Sequence, residues 1–474
     1  MKTFVTLILL VLFAGCKGTP TQGEKEARRQ LQAVAGSYRP EGQKPALPVL
    51  TPNSSLSNFL TYALLNQPQV EAAYFDWLAS VERITVARSL PDPQLTFQMD
   101  IEDVVTSLMP GLMMSFPGAG KLRAAGAVAA AESQGQYFAF RTACLQSAYA
   151  VEGAYYQLYF LNEKIRVNRE TLSLLADLAK LARAQNEVGK VTLQDVLRAQ
   201  IQQDRVETEI ANLEDSRAAL LAQFKAALGL GADQPAPPMP ERFESAPLDL
   251  TADKLFDQAL AQNTRLKGME ADVRAAEAAI TQAYKARMPD ASLGLMADAK
   301  MNPTLYRPWG TVTVPLWRDK LAAEVAQAQA NKRAGEARLS AEQIALAVAV
   351  AEKAFLYREA SRNLELLQNR LLPKQRQSLE LARSGYLAGQ IDFLNLTDTE
   401  QTLLRFGLDQ VEARTQRELS RAELSLIVQG MPTSGAGMGA IATPGTTPTE
   451  AMGASGGGML PGSSSGSRKT KGGM

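Results

Sequence analysis

The stretches EVGKVTLQDVLRA (187–199) and YLAGQIDFLNLTD (386–398) share one layout. Each sets a glycine, Gly189 or Gly389, inside a long apolar-periodic segment, followed by Val191-Thr192-Leu193 or Ile391-Asp392-Phe393 and by a polar residue six places on. A glycine inside a helix costs roughly 1 kcal/mol relative to alanine, so its repetition at matching positions requires a reason. Upstream, residues 119–187 contain no proline, are dense in alanine, and place apolar residues at 145, 148, 151, 155, 158, 161 and 165. That is the 3-3-4 spacing of a coiled-coil seam; Asn168 interrupts it before Leu172 and Leu175 resume it. At ~1.5 Å per residue such a helix reaches roughly 100 Å, far more than a globular core can use. Residues 191–228 are again helical in pattern, so Gly189 reverses the chain at a helical hairpin tip, and Gly389 does the same between two long segments, the descending one interrupted by Pro373.

Working outward, the two halves align at an offset of 198 to 200: Arg88-Ser89-Leu90-Pro91-Asp92 with Ala286-Arg287-Met288-Pro289-Asp290, Pro117 with Pro315, Lys121-Leu122 with Lys320-Leu321, and Gly189 with Gly389. A period this long indicates a duplicated domain rather than a solenoid. The units span 56–231 and 250–430, joined over 232–249 by a linker that Pro235-Ala236-Pro237-Pro238-Met239-Pro240 keeps extended.

Each unit begins with helical segments, broken in the first at Asn66-Gln67-Pro68 and stopped at Pro91 and Pro93. Alternation follows. Leu95, Phe97, Met99 and Ile101 alternate with Thr96, Gln98 and Asp100, the period of a strand with one apolar and one wet face. With copies downstream, the first of them weaker, four strands are expected near 94–103, 108–117, 290–300 and 306–316, with 301–308 expected as a loop.

Composition narrows the chemistry. The chain carries 50 Lys+Arg against 49 Asp+Glu, which offers no electrostatic case for nucleic acid, and no histidine, which removes serine triads and histidine metal sites. Two cysteines, Cys16 and Cys144, are too few for a disulfide framework or a zinc cage. Lys2, the apolar run 4–13 and Ala14-Gly15 before Cys16 form a targeting segment too short to span as a helix. Phe13-Ala14-Gly15-Cys16 resembles a bacterial lipobox, implying removal of 1–15 and acylation of Cys16; an ordinary signal peptide is the alternative. Residues 16–55 are expected as a lipid-anchored extended segment.

Four lipid-compatible strands pose a physical problem, because an open sheet edge in a bilayer leaves backbone groups without partners. The barrel must be shared. Two copies would give eight strands, whose interior side chains fill, whereas three give twelve and leave a lumen.

The order of helix, Pro-Asp, strand, loop, strand ending in Phe116-Pro117-Gly118-Ala119-Gly120-Lys121, alanine-rich helix and Val188-Gly189-Lys190-Val191-Thr192-Leu193-Gln194-Asp195-Val196-Leu197 resembles the TolC-type outer-membrane efflux proteins, twice over, across nearly all of 56–430. The resemblance implies a mostly α fold with a small β part: long-helix hairpins forming a periplasmic α-barrel, and four strands per chain contributing to a trimeric β-barrel. It implies a homotrimer, a periplasmic adaptor (membrane fusion protein), an inner-membrane pump and outer-membrane lipid as partners, and no cofactor beyond the lipid on Cys16, which is similar to the lipoprotein branch. Lys17 resembles the outer-membrane sorting case. Adaptor contact falls at Gly189, Gly389, Val191, Thr192 and Ile391, although turn geometry alone also demands glycine. Asn395 and Asp398, six and nine residues after Gly389, match positions of acidic constriction rings; the first departs by carrying an amide. Asp195 takes the sixth place in the first unit and Arg198 the ninth. A solvated helix-face charge is the alternative reading of Asp398.

Other motifs carry no chemistry. Gly118-Ala119-Gly120-Lys121-Leu122 lacks the first glycine and the Ser/Thr of a P-loop. Gly462-Ser463-Ser464-Ser465-Gly466 spells a nucleophile elbow inside a Gly/Ser-rich tail, 431–474, whose composition predicts disorder. The expected function is a passive efflux duct, not an enzyme, exporting drugs or metal ions; a type I protein-secretion duct and a structural periplasmic coiled coil are the alternatives.

Overall fold

The computed structural model describes residues 20–101, 105–241, 243, 252–298, 301 and 303–429. The targeting segment with Cys16, residues 242 and 244–249 of the linker, residues 250–251 at the start of the second unit, and the 431–474 tail lie outside the described residues. The chain runs α1 (Gln22–Tyr38), α2 (Leu56–Asn66), α3 (Pro68–Arg88), β1 (Gln94–Ile101), β2 (Val105–Phe116), α4 (Lys121–Glu187), α5 (Leu193–Ala227), and then α6 (Ala252–Gln262), α7 (Thr264–Lys285), β3 (Asp290–Asp298), β4 (Leu305–Thr313), α8 (Arg318–Leu366), α9 (Leu372–Leu387) and α10 (Phe393–Gln429).

The 67 residues of α4 correspond to a rod of ~100 Å. Val151, Tyr155, Leu158, Leu161 and Ile165 of its seam are buried, but so are Tyr156 and Phe160, because α4 packs on α5 along one side and on α10 along another. Phe59 of α2, Tyr155 of α4 and Phe224 of α5 centre one core; Leu346 of α8, Leu266 of α7 and Leu424 of α10 centre the equivalent core in the second unit. Asparagines tie the helix ends in both. The Asn66 amide donates to the Leu228 and Gly229 carbonyls, each at 3.0 Å, and the Asn263 amide to the Ile427 carbonyl at 2.7 Å, satisfying acceptors that a helix terminus leaves open. Buried Glu418 of α10 pairs with Arg417 and Arg421, and Arg421 donates to Tyr156 Oη on α4 at 2.9 Å, fixing one hairpin against the other.

Two expectations are corrected. Residues 16–55 are not extended throughout, since Gln22–Tyr38 is helical: Thr21 caps it, and Ala27 and Tyr38 pack beneath Val70, Tyr74 and Trp77 of α3. The strands also shift. β2 begins at Val105, and β4 takes Leu305 to Thr313, so half of the expected loop 301–308 is strand and Val314-Pro315-Leu316 is not. Asp298 pairs with Leu305, and the ladder runs on through Pro308 because β4 is an edge strand, where a missing N–H can face the open side. It stops at Thr313, opposite Asp290, where β3 itself begins.

The sheet is antiparallel in the order β1-β2-β3-β4. Its register puts Leu95, Phe97, Met99, Pro110, Leu112, Met114, Leu293, Leu295, Tyr306 and Val312 on one face, with Leu95 74% and Phe97 73% exposed. Thr96, Gln98, Asp100, Ser107, Ser115, Ser292, Arg307 and Thr311 share the other, where Ser107 donates to Asp100 at 2.7 Å and the Ser115 and Ser292 hydroxyls meet at 3.2 Å. An apolar outer face over a polar inner one is the arrangement of a membrane β-barrel wall. Among the described residues no helix is long and apolar enough to cross a membrane.

Candidate functional site

The two ends of the described molecule carry its unusual features: the hairpin tips and the strand sheet. At the tips, Gly189 and Gly389 have φ of +74° and +71°. Each closes a Schellman turn: the Gly189 and Lys190 N–H groups donate to the Asn186 and Gln185 carbonyls at 2.9 Å, and those of Gly389 and Gln390 to Tyr386 and Gly385 at 3.0 and 2.8 Å. The tips share one core, formed by Leu178 and Ala182 of α4, Val196 and Ala199 of α5, Tyr386 of α9, and Phe393 and Leu396 of α10, with Val191 and Ile391 against it. The duplicated motif is therefore one structural tip made of two hairpins.

The polar residues after each glycine have different tasks. Asp195 accepts from the Thr192 N–H at 3.1 Å and hydroxyl at 2.9 Å, forming a capping box, and stands 3.8 Å from Arg198. In the second tip Asp392 takes the capping role, accepting the Asn395 N–H at 3.0 Å. Asn395 and Asp398 are left exposed, three residues apart on one face of α10.

Glu400, which sequence reasoning did not select, is 1% exposed, and neither carboxylate oxygen has a hydrogen-bond partner among the described residues. Burial pushes its carboxyl up to about 8, while Arg383 on α9 pulls the other way. The signal was available: Phe393, Leu396 and residue 400 follow the 3-4 spacing of the buried stripe, and the third place holds an acid. Above the tip, a π-helical turn, Leu367–Leu371, precedes Pro373, so the descending helix absorbs its proline as a local bulge.

At the other end, Lys121 and Gly118, from the turn that resembles a P-loop, hold Asp290. Lys121 Nζ lies 2.8 and 2.9 Å from its carboxylate oxygens, and the Gly118 N–H donates at 2.7 Å, locking the β2–α4 turn to the start of β3.

The family model for outer membrane efflux proteins matches residues 60–230 and 255–428, the whole of both units between their first helices and the ends of α5 and α10. The chain belongs to the outer membrane efflux protein family. Its fold is similar to that of VceC from Vibrio cholerae (TM-score 0.66, 16% identity, 79% of this chain and 96% of that one). It is also similar to a membrane protein from Pseudomonas aeruginosa (0.65, 17%, 81% and 98%) and to the open state of the MtrE outer membrane channel from Neisseria gonorrhoeae (0.62, 15%, 82% and 97%). No curated relative matches it in sequence. This outer membrane efflux protein thus has a channel fold, with an apolar-faced sheet at one end of its helices and paired turns at the other.

Proposed function

We propose that three copies of this efflux protein close one β-barrel and one helical cylinder, forming the passive exit duct of a tripartite pump that takes its energy and most of its substrate choice from partners. The supporting observation is the two-faced sheet with β1 and β4 at its edges. In lipid those edges need partners, and twelve strands supply them while leaving a lumen. A purely structural coiled coil has no use for such a sheet.

The paired tips dock a periplasmic adaptor through Gly189, Gly389, Val191, Thr192 and Ile391, and acylated Cys16 adds a lipid anchor beside the barrel. Threefold symmetry turns Asn395 and Asp398 into rings near the narrow end, with Asp195 close by as a cap. Carboxylates in such a ring attract cations and repel anions, more strongly at low salt. Single-channel currents in planar bilayers test this reading. Asp398→Ala should lower cation preference and Asn395→Asp should raise it; unchanged selectivity in both variants removes the ring.

A further inference from the structure

Towards the tips, α5 packs along α4, α4 along α10, and α10 along α8 and α9, so α5 and the α8–α9 segment are the outer staves of the paired hairpins. Each stave buries one side. On α5 that side carries Val196, Ala199, Val206, Ile210 and Phe224, and on α9 it carries Leu372 and Tyr386. The opposite sides are exposed, yet both keep the spacing of a coiled-coil seam. On α5 the exposed stripe is Leu197, Ile201, Asp204, Thr208, Ala211 and Asp215, a 4-3-4-3-4 run in which Leu197 and Ile201 are about half exposed. On the other stave it runs from Arg362 through Leu366, Arg370, Lys374 and Gln377 to Leu381, which is 74% exposed. The charges divide by flank: Asp204 and Asp215 on α5, Arg362, Arg370 and Lys374 on α8–α9. Among the described residues none of these five is in an ion pair. Symmetry fixes which residues can meet. Both tips contribute to one core and so stand at one level, and rotation about an axis along the helices leaves levels unchanged. Counted from the tip glycines, Leu197 and Leu381 each lie eight residues up, Asp204 and Lys374 each fifteen, Thr208 and Arg370 each nineteen, and Asp215 and Arg362 twenty-six and twenty-seven. Each acid thus meets a base, and leucine meets leucine. A slip of one heptad either way would set Asp204 against Leu381 or Leu366.

We propose that the acidic flank of α5 seats on the basic flank of α8–α9 of a second copy in this register, Asp204 on Lys374 and Asp215 on Arg362, with Leu197 and Leu381 closing the seam nearest the tips. The assignment rests on the reading above that copies stand side by side around one axis; it adds which faces meet and at what level. The contact joins two different flanks of each chain, so it repeats head to tail until the ring closes. Charges facing each other across such a seam fix register and exclude wrong pairings more than they add affinity. The apolar residues between them supply the burial.

Disulfide trapping of the full chain in membranes, with Cys144→Ser throughout and single-cysteine variants as background, tests the register. Asp204→Cys/Lys374→Cys and Asp215→Cys/Arg362→Cys should each link copies under oxidation, since a disulfide needs Cα atoms within ~7 Å. Asp204→Cys/Arg362→Cys, twelve residues and roughly 18 Å out of register, should stay at background. Equal linking by that pair overturns the register. The sheet-edge pair Thr96→Cys/Thr311→Cys is run alongside. Edge linking without flank linking keeps the shared barrel and removes the seam; flank linking without edge linking keeps the seam and removes the shared barrel; loss of both removes side-by-side copies altogether. Flank cysteines that react fully with a maleimide in edge-linked trimers mark a surface left for a different protein, and that too overturns the seam. Should the cysteine pairs fail to assemble, charge reversal decides. Asp204→Lys or Lys374→Asp alone should lower the trimer recovered in non-denaturing electrophoresis, most at low salt, and the double reversal should restore it. Single reversals that match wild type, or a double no better than the singles, overturn the pairing.

Discussion

Among the described residues, immediate chain neighbours aside, no heavy atom stands within 4 Å of where a Cβ would sit on Gly189 or Gly389; the positive φ, not crowding, demands glycine there. This separates turn geometry from partner approach. Gly389→Ala should cost the tip ~1–2 kcal/mol for its left-handed conformation, whereas Gly389→Asn should restore most of the stability, because asparagine tolerates that region. If the adaptor needs the bare backbone, the Gly389→Asn variant will still block export while its thermal unfolding stays near wild type. Full export by that variant would assign the glycine to geometry alone. Glu24 gives a second test at this scale. Burial alone would raise its carboxyl, but hydrogen bonds from Arg88, Thr85 and Arg28 outweigh that and lower it from 4.5 to about 2. A depressed carboxyl stabilises above its unfolded value and loses that contribution as pH falls toward the folded one, so α1 should stay docked at pH 5 and loosen between pH 4.5 and 2. Glu24→Gln leaves Arg88 without its charge partner and should weaken docking at neutral pH by about 3 kcal/mol. Hydrogen exchange confined to residues 22–38 measures both effects; protection unchanged by the substitution contradicts the clamp.

Among the elements, the tip bundle holds a group that works against it. Glu400 is buried with its carboxyl raised to about 8, so the penalty is absent below pH 4.5 and grows as pH rises through 8. Tip protection should therefore fall across that window by a few kcal/mol at most, on the order set by 1.36 kcal/mol per unit, and Glu400→Gln should flatten the slope; a slope that survives in the glutamine variant must come from another group. The same elements show what sequence could supply. The seam at 151, 155, 158, 161 and 165 and the glycine reversals were legible because helical period and left-handed turns leave local marks. The second buried stripe of α4, with Tyr156 and Phe160, was not, since it depends on α10, which arrives more than two hundred residues later. Nor was α1, whose docking depends on the clamp between Glu24 and Arg88 across 64 residues. At the tip, pattern located Asp195, Asn395 and Asp398 but could not reveal that Asp195 caps its own helix or that Glu400 is buried without a hydrogen-bond partner among the described residues.

For the whole molecule, the sheet's two faces set its orientation. Phe97→Arg on the apolar face should impair outer-membrane assembly, since arginine facing lipid near the midplane costs ~2–4 kcal/mol, while Gln98→Arg, one residue along on the polar face, should assemble normally. Assembly scored by heat-modifiable migration of the membrane fraction separates the two, and equal behaviour would contradict the assigned faces. The central claim is that β1 of one chain pairs with β4 of the next until three chains close. Paired cysteines scanned along the polar faces of these edges, Thr96→Cys or Gln98→Cys against Thr311→Cys or Thr313→Cys with Cys144→Ser, test it in intact membranes under oxidation. Closure by three chains predicts a non-reducing ladder of covalent dimers and trimers that stops at three. Cross-links confined to single chains, or a ladder that stops at two, would contradict it.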